Sequence, residues 1–389
     1  MIARIFIPII MMIVLPDLYF DAHYIRHIKT HRWWKRLLWW TPCILMIAYT
    51  IGLVSIRNFA PDDLAWLNNY LFLLGLVVIP KALFALSSFI GWAYCRINHS
   101  YKNWGDRIGV IACLITIYIL IYGSTIGFSR LNIRRVDYYS KDLPASFDGY
   151  RMVQWSDAHV GAYTGRRVKI LQRAIDSINA QKADVVLFTG DLQNMQPQEM
   201  NPHIGRLSSI KAKDGVYSIL GNHDYSRYIN ATSSKKKANE HEVVVMEKRF
   251  GWTLLQNEHR VIHRGQDSII IAGEENDGRP PFPQKADIKK TLQGISDKNF
   301  VVMLQHDPTA WRRNILPKSN AQLTLSGHTH AMQFEILGHS PASFVYREWG
   351  GMYYEGERAM NVSVGLGGFV PFRFGATGEI VVITLHKTK

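Results

Sequence analysis

The chain has 389 residues, with 47% hydrophobic and 20% charged side chains and a formal net charge of +14. Its charge is uneven: residues 1–144 hold only 15 of the 45 Lys and Arg and 7 of the 31 Asp and Glu, and several long stretches there hold none or one. This excludes a uniform soluble domain, a disordered chain and a fibrous repeat, and Cys43, Cys95 and Cys113, all in apolar stretches, exclude a disulfide framework or a cysteine-rich zinc site.

A membrane span takes about 20 mostly apolar residues. Four stretches satisfy this: Ile2–Phe20, interrupted by Pro8 and Pro16; Leu37–Ile56; Trp66–Cys95, with Lys81 near its middle; and Ile108–Phe128. Four such segments in succession leave no polar face for water, so residues 1–128 are expected to form an all-α transmembrane domain of about four helices. A cleaved signal peptide fits Ile2–Phe20 less well, since only Arg4 precedes the apolar run and no small-residue cleavage site follows it. Residues 129–149 read as a linker.

The short loops orient the spans. Arg26, Lys29, Arg32, Lys35 and Arg36 follow the first, and Arg96, Lys102 and Arg107 follow the third; only Arg4 and Arg57 stand on the other side. The positive-inside rule puts the first and third loops in the cytoplasm and everything after the fourth span outside it. Arg130, Arg134, Arg135 and Lys141 oppose that orientation, and at a bilayer surface they would attract anionic head groups. Trp33, Trp34, Trp39 and Trp40 suit an interfacial aromatic belt. Lys81 reads as a residue that either snorkels or faces a polar interior.

From Tyr150 onward the pattern changes to short β-rich runs that end in polar loops: YRMVQW (150–155), DVVLFT (184–189), GVYSIL (215–220), SIIIA (268–272), FVVMLQ (300–305) and QLTLS (322–326). Between the first two, Val168, Leu171, Ile175 and Ile178 repeat at helical spacing. Such alternation predicts an α/β domain over residues 150–389 with layered sheets. The stretch 225–247 begins polar and reads as an inserted loop followed by a helix or strand; Pro280, Pro281 and Pro283 mark a second loop.

The polar residues at the ends of those strands carry the chemistry. The first strand leads into Asp157 and His159, the second into Asp191, the third into Asn222, His223 and Asp224, the fifth into His306, and the sixth into His328 and His330. The carboxyl edge of an open α/β sheet is where ligands bind. Imidazole and carboxylate donors without a competing thiolate suit a pair of divalent cations, with zinc, iron or manganese as candidates. A lone carboxylate between two histidine-rich half-sites can bridge metals roughly 3.5–4 Å apart. Gly190 and Gly221 allow tight turns beside the donors. His203, His241, His259, His263, His339 and His386 fall outside the pattern and read as ordinary surface or core histidines. Lys235–Lys237 reads as a solvated loop.

The series D-x-H, G-D, G-N-H-D, H, G-H-x-H, from Asp157 to His330, resembles the calcineurin-like metallophosphoesterase family. The tail VSVGLGGFVPFRFGATGEIVVITL (362–385) resembles the bacterial membrane-anchored branch of that family in its glycine-rich turn, arginine segment and closing strand. The resemblance implies a four-layer sandwich of two mixed β-sheets flanked by helices. It implies one metal on Asp157, His159, Asp191 and His330, and another on Asp191, Asn222, His306 and His328. It makes His223 the catalytic residue that protonates the leaving group after attack by a metal-bridging hydroxide. It also implies a bacterial cell membrane. Two departures stand out. Asn194 occupies the place of an aspartate that pairs with the catalytic histidine in the protein-phosphatase branch. Ala331 and Met332 stand before Gln333 where many relatives have two glycines.

The expected function is hydrolysis of phosphate mono- or diesters by a membrane-anchored enzyme, with a lipid or lipid-linked ester as one candidate substrate. Two alternatives remain at this level: a membrane sensor or transporter whose soluble half binds a ligand, and a nucleotide or nucleic-acid phosphodiesterase. The spans contain few polar residues besides Lys81, and much of the basic charge sits beside the membrane, so no nucleic-acid partner is expected.

Overall fold

The computed structural model describes residues 6–27, 33–56, 61 and 63–388. Residues 2–5 of the first apolar stretch lie outside the described residues, as do Lys29, Arg32, Arg57 and Asp62. Two compact units divide the chain, Met1–Ile126 and Gly127–Lys389.

In the first unit four helical segments are long and apolar enough to cross a membrane: Phe6–His27, Trp33–Ser55, Leu64–Ile97 and Trp104–Gly127. The third contains a π-turn at Leu74–Val78. Pro80, two residues beyond Val78, has no N–H to give to the helical ladder, so the turn falls where that ladder is interrupted. Lys81 does not snorkel. Its Nζ lies 2.8 and 3.1 Å from the two carboxylate oxygens of Asp17 on the first helix, and 4.9 Å from the centre of the Trp39 ring. A charge in an apolar helix is stable only when paired. A second polar cluster joins helices through Asp106, whose carboxylate accepts from Tyr24 Oη at 2.7 Å, Ser88 Oγ at 2.6 Å and Asn103 Nδ2 at 2.8 Å.

The second unit holds twelve strands: β1 (Leu131–Ser140), β2 (Arg151–Trp155), β3 (Val185–Phe188), β4 (Val216–Ser218), β5 (Thr253–Leu254), β6 (Glu258–Arg264), β7 (Asp267–Gly273), β8 (Phe300–Leu304), β9 (Leu323–Ser326), β10 (Gly351–Glu355), β11 (Arg358–Val362) and β12 (Gly378–Lys387). They form two six-stranded sheets, ordered β1-β12-β2-β3-β4-β5 and β10-β11-β9-β8-β7-β6. Both are mixed: β2 to β5 run parallel while β12 is antiparallel to β2, and β7 to β9 run parallel to β11 between antiparallel β6 and β10.

Alternate side chains explain the layering. Met152, Val185, Leu187, Val381 and Ile383 of the first sheet pack with Ile269, Ile271, Val302, Leu304, Leu323 and Leu325 of the second in one buried cluster. Val153, Trp155, Val186 and Phe188 point the other way, onto Leu171, Ile175 and Ile178 of helix Val168–Ala180 and Val243 and Met246 of helix Ser233–Arg249. Ile270, Val301, Met303 and Met360 meet Ile288, Trp311 and Ile315 on the far side of the second sheet. The result is the expected four-layer sandwich, and the insertion after Tyr225 resolves into a helix.

The expected linker 129–149 is corrected. Most of it is β1, paired in parallel with β12 from Leu131↔Gly378 to Ser140↔Lys387. Tyr138 is buried, with its hydroxyl 2.9 Å from the Gln322 carbonyl and 3.1 Å from that of Glu357. Two of the supposed head-group cations are used within the unit, Arg134 on Glu379 (3.1 Å) and Lys141 on Glu357 (3.3 Å). Local sequence conceals this strand because its partner lies more than two hundred residues away. A chain starting near Lys141 should therefore fail to show a cooperative melt by circular dichroism, whereas one starting at Ser129 should melt cooperatively. The buried Tyr138 ring alone is worth about 3–5 kcal/mol.

Candidate metal centre

The donors come from the carboxyl ends of five strands, in both sheets. β2 delivers Asp157 and His159, β3 Asp191, β4 Asn222, with the non-donor His223 beside it, β8 His306, and β9 His328 and His330. Asp157, His159, Asp191, His328 and His330 all have left-handed backbones, with φ between 46 and 77°. Non-glycine residues avoid this region, and such strain persists where the surroundings over-determine it. Ala331 and Met332, each at φ 49°, continue the left-handed run. The glycines of many relatives would enter it without a β-carbon penalty. At Gly221 a β-carbon would lie 2.2 Å from Asp191 Oδ1, so the close approach of these two loops admits glycine alone.

Two groups of donors converge. Asp157, His159, Asp191 and His330 form one, Asp191, His306 and His328 the other, each with its ligand atoms within 4.8 Å of one another. In the first, His159 Nε2 faces His330 Nε2 at 3.2 Å and Asp191 Oδ2 at 3.7 Å, and His330 Nε2 lies 3.1 Å from Asp157 Oδ1. In the second, His306 Nδ1 donates to the Thr189 carbonyl at 2.7 Å. That bond fixes the tautomer, so Nε2 turns toward Asn222 Oδ1 at 3.1 Å and Asp191 Oδ2 at 3.3 Å. Asn222 gives its Nδ2 to Tyr228 Oη (2.7 Å), which aims its Oδ1 at His306 and at His328 Nδ1, 2.7 Å away. Asp191 belongs to both groups.

The electrostatics agree with a cation site. Burial raises the Asp191 carboxyl, but the His306 and His223 imidazoles outweigh it and hold it well below the usual range. Asp157 is likewise lowered, burial being overcome by His330. Burial lowers His159, His223 and His328, keeping imidazole lone pairs available. At His306 burial is outweighed by Asp191, and the imidazole rises to about 10. These residues fit a divalent ion.

His223 is held without a carboxylate, in keeping with the asparagine at position 194. Its Nδ1 donates to the Asn194 backbone carbonyl at 2.6 Å, so no carboxylate partner is needed. Glu199, which accepts from Asn194, Met195 and Gln196 N–H groups at 2.6, 2.9 and 3.0 Å, holds that carbonyl's segment in place. Asp224 does not reach the ring. It accepts the N–H groups of Asp191, Leu192, Gln193 and Gly221 at 2.9–3.2 Å and ties the Asp191 loop to the Asn222 loop.

Tyr228, Phe369 and Tyr346 were invisible to sequence reasoning. Tyr228 stacks on His223 with centroids 4.2 Å apart, Phe369 lies 5.7 Å from the same ring, and Tyr346 Oη sits 3.1 Å from His328 Nε2. Tyr228 and Tyr346 lie in segments without periodicity or motif; Phe369 follows the glycine-rich turn, the one signal that pointed near it. His203, His241, His259, His263, His339 and His386 join neither donor group among the described residues.

Residues 150–332 match the family model described as calcineurin-like phosphoesterase, and residues 3–128 match the one described as a probable calcineurin-like phosphoesterase transmembrane domain. The chain is 32% identical to the metallophosphoesterase YkuE of Bacillus subtilis over 63% of its own length and 82% of that protein's. It belongs to the calcineurin-like phosphoesterase family. It is also 29% identical to a transmembrane protein with metallophosphoesterase domain of Danio rerio, over 72% of its own length and 63% of that protein's. Among solved structures it is similar to a dimetal phosphatase from Danio rerio, with a TM-score of 0.34 and 11% identity over 58% of this chain and 89% of that one. As a family member this integral membrane protein is a metal-dependent phosphoester hydrolase with an Asp/His divalent-metal site.

The Asp224 network makes a test possible away from the donors. In Asp224→Asn one oxygen becomes an amide nitrogen that cannot accept, so part of the four-way bond set is lost, at a cost on the order of 3 kcal/mol. Chemical denaturation should show that loss, and elemental analysis should show weaker cation retention although residue 224 is not a donor.

Proposed function

We propose that this phosphoesterase uses two divalent cations to hydrolyse a phosphate mono- or diester of a membrane amphiphile, with its catalytic unit outside the cytoplasm of a bacterial cell. One cation would be held by Asp157, His159, Asp191 and His330 and the other by Asp191, Asn222, His306 and His328. The observation that carries this is the sharing of Asp191 Oδ2, 3.7 Å from His159 Nε2 and 3.3 Å from His306 Nε2, between two donor groups. Bound there, divalent cations supply Lewis-acid neutralisation of phosphoryl oxygens and lower the pKa of a water.

The chain's own residues do the rest. Asn222 is a neutral donor in a site already crowded with carboxylates and imidazoles, and Tyr228 holds its oxygen inward. His223 has Nδ1 committed to Asn194, so the proton it gives the leaving alkoxide is carried on Nε2. Stacking on Tyr228 fixes the ring plane. Catalysis rests on positioning and charge stabilisation. The short connection from Gly127 to Leu131 supports an amphiphilic substrate, because it keeps the catalytic unit near the bilayer. The eight basic residues in the first and third loops against two opposite support the orientation.

Two predictions test this. Asp191→Asn should lose cation and nearly all activity, while His223→Asn should keep its cations by elemental analysis yet lose about 100-fold or more in turnover. That second loss should be greater for an alkyl than for a nitrophenyl ester, since only the poor leaving group needs the proton. A His223→Asn protein empty of metal would refute the assignment. For orientation, a reporter enzyme active only outside the cytoplasm, fused at the carboxyl terminus, should be active; activity from a cytoplasm-specific reporter would reverse the topology.

A further inference from the structure

The segment that follows the last histidine donor exposes apolar side chains of a kind the rest of the catalytic unit buries. Leu337 is 93% exposed, Phe344 92%, Val345 56%, Ile336 47% and Met332 42%. The other exposed large hydrophobics of this unit, Tyr139, Val245, Val261 and Tyr354, occur singly along the chain. Ile336 and His339 exchange backbone hydrogen bonds at 2.9 and 3.0 Å, closing a two-residue turn with Leu337 at φ 51° and Gly338 at φ 79° at its tip. Asn-Gly or Asp-Gly is the usual choice for such a turn. Here a leucine accepts both an unfavourable backbone and full exposure to water, two costs at one residue that point to an apolar partner.

The fold gives that partner a direction. β1 and β12 run antiparallel to β2, so Leu131 lies at the sheet edge where β2 ends, the edge that carries Asp157. Gly127 ends the fourth apolar helix, and the four residues to Leu131 reach at most about 14 Å. The root of the exposed segment is at the same place. Glu335 N–H donates to the Phe374 carbonyl at 2.7 Å, Phe334 stacks on Phe374 at 5.5 Å, and Gly378 four residues further on pairs with Leu131. A cleft of about 990 Å³ is lined by Ser129, Leu131, Glu335, Trp349 and Thr377 together. The segment and the residues just after it are tied to the loop that carries His328 and His330: Ser340 Oγ donates to the Ala331 carbonyl and Thr329 Oγ1 to that of Trp349, both at 2.6 Å, and Tyr346 Oη reaches His328.

We infer that Ile336–Val345 is an interfacial loop whose occupant is the lipid bilayer. Its tip, Leu337 and Phe344, enters the acyl boundary and brings the rim of the metal site to the membrane surface, where a phosphate ester is presented by its own lipid anchor. The inference deepens the amphiphile reading of the proposed function and rests on it for the substrate alone; bilayer contact itself does not depend on hydrolysis. Apolar side chains seated at the head-group boundary contribute through buried area, and a charge at the tip removes that contribution.

The test uses the full chain in vesicles of phosphatidylcholine and phosphatidylglycerol, with Cys43, Cys95 and Cys113 replaced by alanine. An environment-sensitive fluorophore is placed at Leu337→Cys, and for comparison at exposed Lys182→Cys, which precedes β3 at the opposite edge of the sheet. The Leu337 probe should shift to the blue and lose about half its emission to doxyl-labelled lipid, while the Lys182 probe does neither. Leu337→Asp with Phe344→Asp should lower hydrolysis of a vesicle-borne phosphate ester about tenfold or more and leave a soluble nitrophenyl phosphodiester within about twofold. An unquenched Leu337 probe would overturn the loop assignment. So would quenching by a second labelled copy of the chain in place of lipid, which would make this an interface between copies. Equal activity losses on both substrates would also overturn it. Lipid quenching without metal-dependent hydrolysis of either ester would leave the loop in place and refute the proposed function, so the two failures are separable.

Discussion

Everything in the catalytic unit is arranged around one carboxylate. Asp191 has its backbone in a left-handed conformation, its N–H on Asp224, its carbonyl accepting from His159 N–H at 3.1 Å and its Oδ1 accepting from His223 N–H at 2.8 Å. Its Oδ2 faces His159 in one donor group and His306 in the other. Converging this many lone pairs on a buried anion is unfavourable in an apolar core unless donors or cations compensate each one. The strained turns, the glycine contacts at Gly221 and the four N–H groups gathered by Asp224 all follow from holding that single group still.

The tail of the chain completes the same enclosure from the other side. Leu366 and Gly367 N–H groups bond the carbonyls of Ser156 and Asp157 at 2.9 Å, so the glycine-rich turn lies directly on the β2 loop. Arg373, 1% exposed, gives its guanidinium to the carbonyls of Val364, Gly365, Gly367 and Ala376. Five fixed donors in a planar fork suit this task as no other side chain would. Burial lowers that guanidinium to about 10, which still leaves it charged at neutral pH. The same tail supplies β12, which places β1, and so ties the residues that leave the membrane helices into the sheet bearing the donors.

In the membrane unit the same rule acts on a smaller scale. Asp17 with Lys81, and Asp106 with Tyr24, Ser88 and Asn103, each link helices that are otherwise largely apolar. Apolar surface gives little preference for one neighbour over another within lipid, so paired polar groups specify which helices meet and at what height. Replacing one partner would strand a charge, which is why Lys81 appears with Asp17 and not alone.

The clustering of Asp157, His159, Asp191, His306, His328 and His330 was legible from the amino-acid sequence because each follows a short apolar strand, and strand ends deliver side chains to one edge. Spans were legible because length and apolarity alone define them. So was the four-layer class, through the resemblance carried by those motifs. What tertiary structure alone decided depends on contacts between residues far apart in the chain. β1 is a strand because β12 pairs with it more than two hundred positions later, and no local pattern in LNIRRVDYYS competes with its basic residues as a signal. Lys81 is an ion-pair partner because Asp17 reaches it from another helix. His223 is held by the carbonyl of Asn194, an interaction indifferent to the side chain at that position and therefore silent in sequence. Side-chain motifs can be read residue by residue; backbone acceptors, pairing partners and exposed turn tips exist only once the chain is folded.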